Sequence, residues 1–286
     1  MKSQRSVATL LLAVPFLVFF CCFTVPLFWG FWMSFYNRDG VFVGLQNYIN
    51  AFKNQAFRSS LSFTLINTAS VVSIMSLLGL VIALGINHLT WGNGIARSVM
   101  LIPWAISLTA WGLFTKIVTS EQFGILNDIL LRLGLIRHRI SFLGGITSAR
   151  LTVIVARIAK DLWFSALLFL VARQTITPEF YEEGKVIGAS AWQCFWHITL
   201  PTMRNTILYV ITIQMVFAFQ EFDLVYSLAR GGPGSATSTV AVGIFLHGVL
   251  FGNYEYGTAL TVVWSMIVSF FVVIVFGRIM LKSEAT

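Results

Sequence analysis

The sequence predicts an all-α integral membrane protein with six transmembrane helices, and three observations carry that prediction. Hydrophobic residues make up 57% of the 286 and charged residues only 10%, with a mean hydropathy of +0.82. That balance excludes a water-soluble globular protein. A hydrocarbon core about 30 Å thick takes roughly 20 apolar residues per helix, and runs of that length recur at 7–35, 61–86, 98–118, 151–172, 205–226 and 258–280. The runs are too continuously apolar for the roughly ten-residue alternating strands of a membrane barrel.

The first run starts just after Lys2 and Arg5 and continues to residue 35, well beyond a secretory apolar stretch, with no small-residue cleavage site; it reads as a retained helix. Its Cys21 and Cys22 are adjacent, and with Cys194 the cysteine number is odd, so neither a disulfide framework nor metal spacing is present. VGLQNY at 43–48, WGNG at 91–94, GG at 144–145 and GGPG at 231–234 read as turns and loops between spans. The second run carries Asn67, Ser70, Ser73 and Ser76, small polar groups that suit close helix packing or contact with a hydroxyl-rich solute. Lys116 near the end of the third run can snorkel to the interface. His88, His138, His197 and His247 are too dispersed for metal spacing. No long repeat divides the chain, so 1–286 reads as one transmembrane domain.

Charge leaves the orientation open. With the N-terminus inside, the inner segments would hold Lys2, Arg5, Arg97, Arg173, Lys185, Arg204, Arg278 and Lys282. The outer loops would hold Arg38, Lys53, Arg58, Arg132, Arg137, Arg139, Arg150 and Arg230, eight against eight. The net charge of +8 is scattered among loops, unlike a nucleic-acid patch.

Between the fourth and fifth runs lies YEEGKVIGASAWQCFWHITLP, residues 181–201. Thr177, Pro178 and Glu179 ahead of it suit an N-cap, a first-turn proline and a first-turn acid, so a short helix is expected to begin there. Phe180, Gly184, Ile187 and Ala191 share one face, Glu182, Glu183 and Lys185 project elsewhere, and Gly188 can end or bend the helix. Trp192, Phe195 and Trp196 then form a stripe fit for the interface or a neighbouring helix, and Pro201 marks entry to the fifth span. On its own the segment suits an interfacial amphipathic helix.

Glu182, Gly188, Ile198, Leu200 and Pro201 follow without a gap the spacing of the signature loop of binding-protein-dependent ABC importer permeases, which this chain resembles. VGLQNY, GILNDILLRLGL at 124–135 and FDLVYSLARGGP at 222–233 extend the resemblance over nearly the whole chain. It is similar to the carbohydrate-uptake branch, and to the first permease of maltose, lactose and glycerol-phosphate type systems. Two departures stand out: Glu183 and Gly184 replace the family's two alanines, and Ile187 its aspartate.

The resemblance implies a type I ABC importer permease fold. Residues 177–201 would be a cytoplasmic coupling loop, with Glu182, Glu183, Gly184, Gly188, Ala189, Ile198, Leu200 and Pro201 engaging an ATPase. It also implies a bacterial or archaeal plasma membrane, both termini cytoplasmic, a second homologous permease, an ATP-binding cassette dimer and an extracytoplasmic solute-binding protein. ATP and Mg would sit on the partner, since this chain has no phosphate-cradling GxxxxGK[ST] motif, no catalytic constellation and no cofactor site.

Ionisable residues inside a span are functional candidates. Arg157, Lys160 and Asp161 lie in the fourth run, and Glu221 and Asp223 near the end of the fifth. Arg157 or Lys160 can pair with Glu221 at similar depth; alternatively Arg157 and Asp161, four residues apart, satisfy each other. With Asn67, Gln214 and Gln220, the residues Arg157, Lys160, Glu221 and Asp223 are the candidates for a sugar or polyol pathway. An ion-gradient-driven secondary transporter is the alternative, which leaves the 182–201 pattern unexplained.

Overall fold

A computed structural model describes residues 13–87 and 93–283. Lys2, Arg5, His88 and the first half of WGNG lie outside the described residues, as do the side chains of Arg278 and Lys282. The described residues form α1 (Ala13–Met33), α2 (Gln46–Lys53), α3 (Gln55–Asn87), α4 (Asn93–Ala105), α5 (Leu108–Val118), α6 (Ile125–Arg132), α7 (Ile146–Gln174), α8 (Glu179–Val186), α9 (Ala191–Phe219), α10 (Asp223–Ala229), α11 (Val240–Leu250) and α12 (Tyr254–Ser283).

Four helices, α1, α3, α9 and the first part of α12, are long and apolar enough to cross a membrane. Arg97–Ala105 of α4 and Leu108–Val118, α5, reach that apolar length only together, and they meet at 88°, the geometry of a broken span or a re-entrant pair. Pro103 precedes the break, and Ser107 restarts the helix by accepting a hydrogen bond from the Ala110 N–H at 3.2 Å. The straight third span read from the sequence is thus corrected to a bent pair. The fourth run forms α7, 29 residues and about 43 Å long at 1.5 Å per residue; it carries Arg157, Lys160 and Asp161 and is not among the helices that are apolar enough by themselves to cross a membrane.

Two spans contain π turns, Phe20–Thr24 and Phe195–Thr199, each followed two residues later by a proline, Pro26 and Pro201. Proline has no N–H to donate, and its ring crowds the carbonyl four residues back. The wider turn ahead relieves that conflict by letting Val25 and Leu200 donate five residues back, to Phe20 and Phe195. Pro201 therefore lies inside a continuous α9 that starts at Ala191, rather than at the entry to the fifth span. That span also ends earlier than the sequence suggests, at Phe219, and Asp223–Ala229 forms a separate helix. VGLQNY, expected as a loop, runs into α2 from Gln46.

The chain divides into two compact units, Met1–Arg58 with Gly243–Ile267, and Ser59–Val242 with Val268–Thr286. In the first, α11 and α12 cross so closely that a Cβ on Gly257 would lie 2.5 Å from the Gly248 Cα. In the second, α3 crosses α7 at Gly79, where a Cβ would stand 3.2 Å from the Ala166 N and the Ser165 Cβ. Phe169, Leu170, Ala172, Met203 and Val210 close that unit's core beneath α8. Small residues at crossings bring backbones together where lipid offers no hydrophobic drive.

Gly112 is the tightest such position, since a Cβ there would strike Ser227 Oγ and the Leu224 carbonyl, 2.9 Å away. Gly112→Ala is expected to cost about 1–3 kcal/mol by overpacking α5 against α10. Gly85→Ala, where nothing lies within 4 Å, should leave the thermal unfolding midpoint of the purified protein unchanged.

Candidate functional site

Both parts of the site lie in the second unit. In the first part, α8 is held from three directions. Tyr181 faces inward, its hydroxyl 2.8 Å from Thr199 Oγ1 on α9 and its ring covered by the Arg173 guanidinium at 4.0 Å from the end of α7. Gly184 is buried one turn on, and a Cβ there would sit 3.2 Å from Cys194 Sγ and 3.5 Å from Ile198 Cδ1. This packing explains the departure at Gly184: the larger Cys194 and Ile198 occupy the space an alanine would need.

The helix ends at Gly188, with φ of +78°. The Ala189 N–H donates to the Gly184 carbonyl at 2.8 Å and the Gly188 N–H to Lys185 at 3.0 Å. These are the paired bonds of a Schellman termination, which needs a left-handed residue at that position. Ser190 and Gln193 then form a capping box that starts α9. At the other end, Pro178 rather than Thr177 is the N-cap, and no side chain caps the helix.

What α8 leaves outside is equally specific. Glu182, Glu183 and Lys185 are exposed, and so are Phe180 at 52%, Val186 at 87% and Ile187 at 83%. The inward face is therefore Tyr181 and Gly184, and the expected apolar face through Phe180 and Ile187 is uncovered. Trp192 and Trp196 are exposed beside it; Trp192 stacks on Phe195, and Trp196 meets that ring edge to face. Ala189 and Leu200 are half-buried with Ile198, and Pro201 is exposed.

The second part is a buried ionic cluster. Arg157, Lys160, Asp161 and Glu221 are all less than a tenth exposed. Arg157 Nη1 donates to Glu221 Oε2, and its Nε lies 2.8 Å from Asp161 Oδ2. Lys160 Nζ donates to Asp161 Oδ1 at 3.2 Å and to the Trp104 carbonyl at 3.3 Å. Both pairings read from the sequence occur together: Arg157 bridges Asp161 on its own helix and Glu221 beyond the end of α9. Two cations face two carboxylates, so the cluster is neutral.

Lys160 also supplies a donor to a carbonyl at the α4–α5 break, where the helix cannot. Trp111 on α5 adds a bond from Nε1 to the Ala156 carbonyl at 2.9 Å, docking the broken span on α7. Thr239 Oγ1 donates to the Glu221 carbonyl at 2.6 Å.

One turn further along α7, Gln214 Nε2 donates to Ser165 Oγ at 2.8 Å, and Ser76 Oγ donates to Gln214 Oε1 at 3.2 Å. The three residues join α9, α7 and α3. Gln214 is thus engaged between helices, and Asn67 is fully buried with both amide atoms unpartnered. Gln220 and Asp223 are exposed. A cavity of about 30 Å³, the size of a single water site, adjoins Arg157, Asp161, Ser165 and Gln214. Sequence reasoning missed Ser165, although 157, 161 and 165 recur every four residues as a polar stripe on α7. It also missed Tyr181 and Arg173, whose roles depend on where two helix ends meet. Among the described residues no cluster of His, Cys, Asp and Glu could hold a metal.

Residues 75–283 match the family described as binding-protein-dependent transport system inner membrane component. The chain belongs to that family. It is a multi-pass membrane permease of a binding-protein-dependent transport system, not an enzyme, and the ion-gradient alternative finds no support. The permease is 29% identical to the trehalose/maltose transport system permease protein MalF of Thermococcus litoralis over 280 residues, 96% of this chain and 94% of that protein. It is 31% identical to the sulfoquinovosyl glycerol transport system permease protein SmoG of Agrobacterium fabrum, over 91% of this chain and 86% of that one. Its fold matches a chain of a bacterial ABC transporter involved in import of the acidic polysaccharide alginate, with a TM-score of 0.85 at 22% identity, covering 97% of this chain and 96% of the other.

Proposed function

We propose that this permease forms half of the translocation pathway of an ABC importer for a sugar or related polyol, and that α8 transmits ATP-driven motion to it. The observation that carries the proposal is the construction of α8. Its inner face is locked to the ends of α7 and α9 through Arg173, Tyr181, Gly184 and Thr199. Its outer face presents acids, a lysine and uncovered apolar side chains. A short helix joined this rigidly to two spans tilts them when a partner moves it. Contacts to the ATPase are assigned to Glu182, Glu183, Gly184, Gly188, Ala189, Ile198, Leu200 and Pro201, with Gly184 and Ile198 acting through packing.

In this reading 1–286 is one transmembrane domain, both termini face the cytoplasm, and residues 177–201 lie on that side. A second homologous permease completes the pathway. ATP and Mg belong to a dimer of ATPase subunits, this chain needs no cofactor, and a solute-binding protein delivers the solute at the opposite face. The names of the relatives, one for trehalose and maltose and one for sulfoquinovosyl glycerol, support a carbohydrate class. Gln220 and Asp223 are the exposed pathway candidates. The other candidates, Asn67, Gln214, Arg157, Lys160 and Glu221, are buried.

Purification of tagged permease in mild detergent tests the assignment. The expected result is recovery with a second permease and an ATPase pair that hydrolyses ATP. A chain that transports without any ATPase would overturn it.

A further inference from the structure

Two short helices outside the spans share one construction that the transport function does not use. In the first unit, the apolar side chains of Leu45, the N-cap of α2, and of Ile49 and Phe52 within it follow helical spacing, and they are 63%, 45% and 52% exposed. On its opposite side Asn47 is buried, and its amide donates to the Ser34 and Tyr36 carbonyls at 2.9 and 2.7 Å, where α1 has just ended. In the second unit, Ile125 and Ile129 of α6 and Leu133 at its C-cap recur every four residues, 58%, 47% and 66% exposed. Again a buried asparagine on the opposite side holds the helix: Asn127 donates to the Ser120 carbonyl at 3.2 Å and to Ile140 at 3.0 Å, and accepts from the Ile140 N–H at 2.9 Å. Gly124 tightens this fastening, since a Cβ there would lie 2.6 Å from the Val118 carbonyl.

Each amide thus fixes its helix within about one turn of the end of an apolar helix, the place where a spanning helix would meet the lipid headgroups. Each helix also carries cations beside its stripe. Lys53 and Arg58 flank α2, Arg132 and Arg137 flank the stripe of α6, and all four are exposed. None makes an ion pair with a described residue, whereas the nearby Asp128 is held by Arg139 at 2.6 Å. The other acids close in sequence, Asp39 and Glu121, leave both segments net positive.

We propose that α2 and α6 are interfacial anchors, with their apolar stripes in the acyl-chain boundary and these four cations on the phosphates of anionic lipids. An apolar ridge bordered by long cationic side chains and fastened at the end of an apolar helix matches that layer in polarity on both edges. The proposal also accounts for the tie of eight cations against eight. Lys53, Arg58, Arg132 and Arg137 belong to connections after the first and third spans, where the orientation rule disfavours cations. As lipid ligands they have a reason to be there that is independent of orientation.

The test uses the permease with its co-purifying subunits in nanodiscs of phosphatidylglycerol and phosphatidylcholine. Cys21→Ser, Cys22→Ser and Cys194→Ala clear the background, and Ile49→Cys or Ile129→Cys carries a nitroxide. The expected result is a severalfold higher ratio of oxygen to nickel-chelate accessibility than at a label on Gln122→Cys. Lys53→Gln, Arg58→Gln, Arg132→Gln and Arg137→Gln together should abolish enrichment of phosphatidylglycerol among tightly held lipids. Labels open to the nickel chelate would overturn the proposal. So would labels closed to both reagents, which signify a protein contact, and labels shielded only after a solute-binding protein is added. Unchanged lipid enrichment in the quadruple variant would overturn the assignment of the cations to lipid phosphates.

Discussion

Glu221→Ala is expected to destabilise the permease by about 3–5 kcal/mol, the cost of removing one partner from a buried ion pair. The Glu221 side chain is 0% exposed and that of Arg157 7%. Without the glutamate, Arg157 and Lys160 share Asp161 alone, and one positive charge remains uncompensated in the interior. Arg157→Leu inverts the imbalance, leaving Asp161 and Glu221 against Lys160. The double variant Arg157→Leu, Glu221→Leu keeps the neutral Lys160–Asp161 pair, which is 3.2 Å apart. It should therefore be more stable than either single variant, because apolar replacement of a whole buried pair is often neutral or stabilising. Thermal unfolding midpoints in detergent read the difference. A double variant as unstable as the sum of the singles would show that the charges do not act as a pair.

This cluster also shows how far the sequence can be read. Equal depth in two spans indicated that Arg157 and Glu221 could meet, because depth follows from residue number at a fixed rise. The i, i+4 spacing indicated Arg157 with Asp161 equally well. Choosing between them was unnecessary, since a guanidinium has donors for both. The Lys160 contact with Trp104 was not legible, because it depends on an 88° break that composition does not reveal. Spacing and apolar length made the spans legible, but the two π turns were hidden, and with them the true start of α9. Gln214 looked like a pathway residue from its polarity, yet two serines on different helices claim its amide. Polarity identifies that a buried group needs partners; only tertiary placement says whether a solute or a helix supplies them. For α8 the sequence marked Phe180, Gly184 and Ile187 as one face, and the structure turns Tyr181 and Gly184 inward while Phe180 and Ile187 stay uncovered. Amphipathicity gives a face, not what covers it.

Gly188→Val is expected to abolish ATP-coupled uptake while the protein still inserts in the membrane. With φ at +78°, Gly188 occupies the left-handed region, where a residue with a Cβ costs about 1–2 kcal/mol and a β-branched one more. Nothing lies within 4 Å of its Cβ position, so the effect comes from backbone strain rather than collision. Strain on that scale is too small to unfold several spans, but it acts on the two bonds that terminate α8, from Gly188 to Lys185 and from Ala189 to Gly184. Releasing them lets α8 run on and turns the Glu182 and Ile187 surface relative to α9. Gly188→Asn tolerates the left-handed region better and should keep a larger share of the uptake. If coupling instead depended only on the exposed side chains, the valine and asparagine variants would transport alike. Uptake in vesicles, together with ATP hydrolysis by the assembly, separates these outcomes, because loosened coupling leaves hydrolysis running without transport.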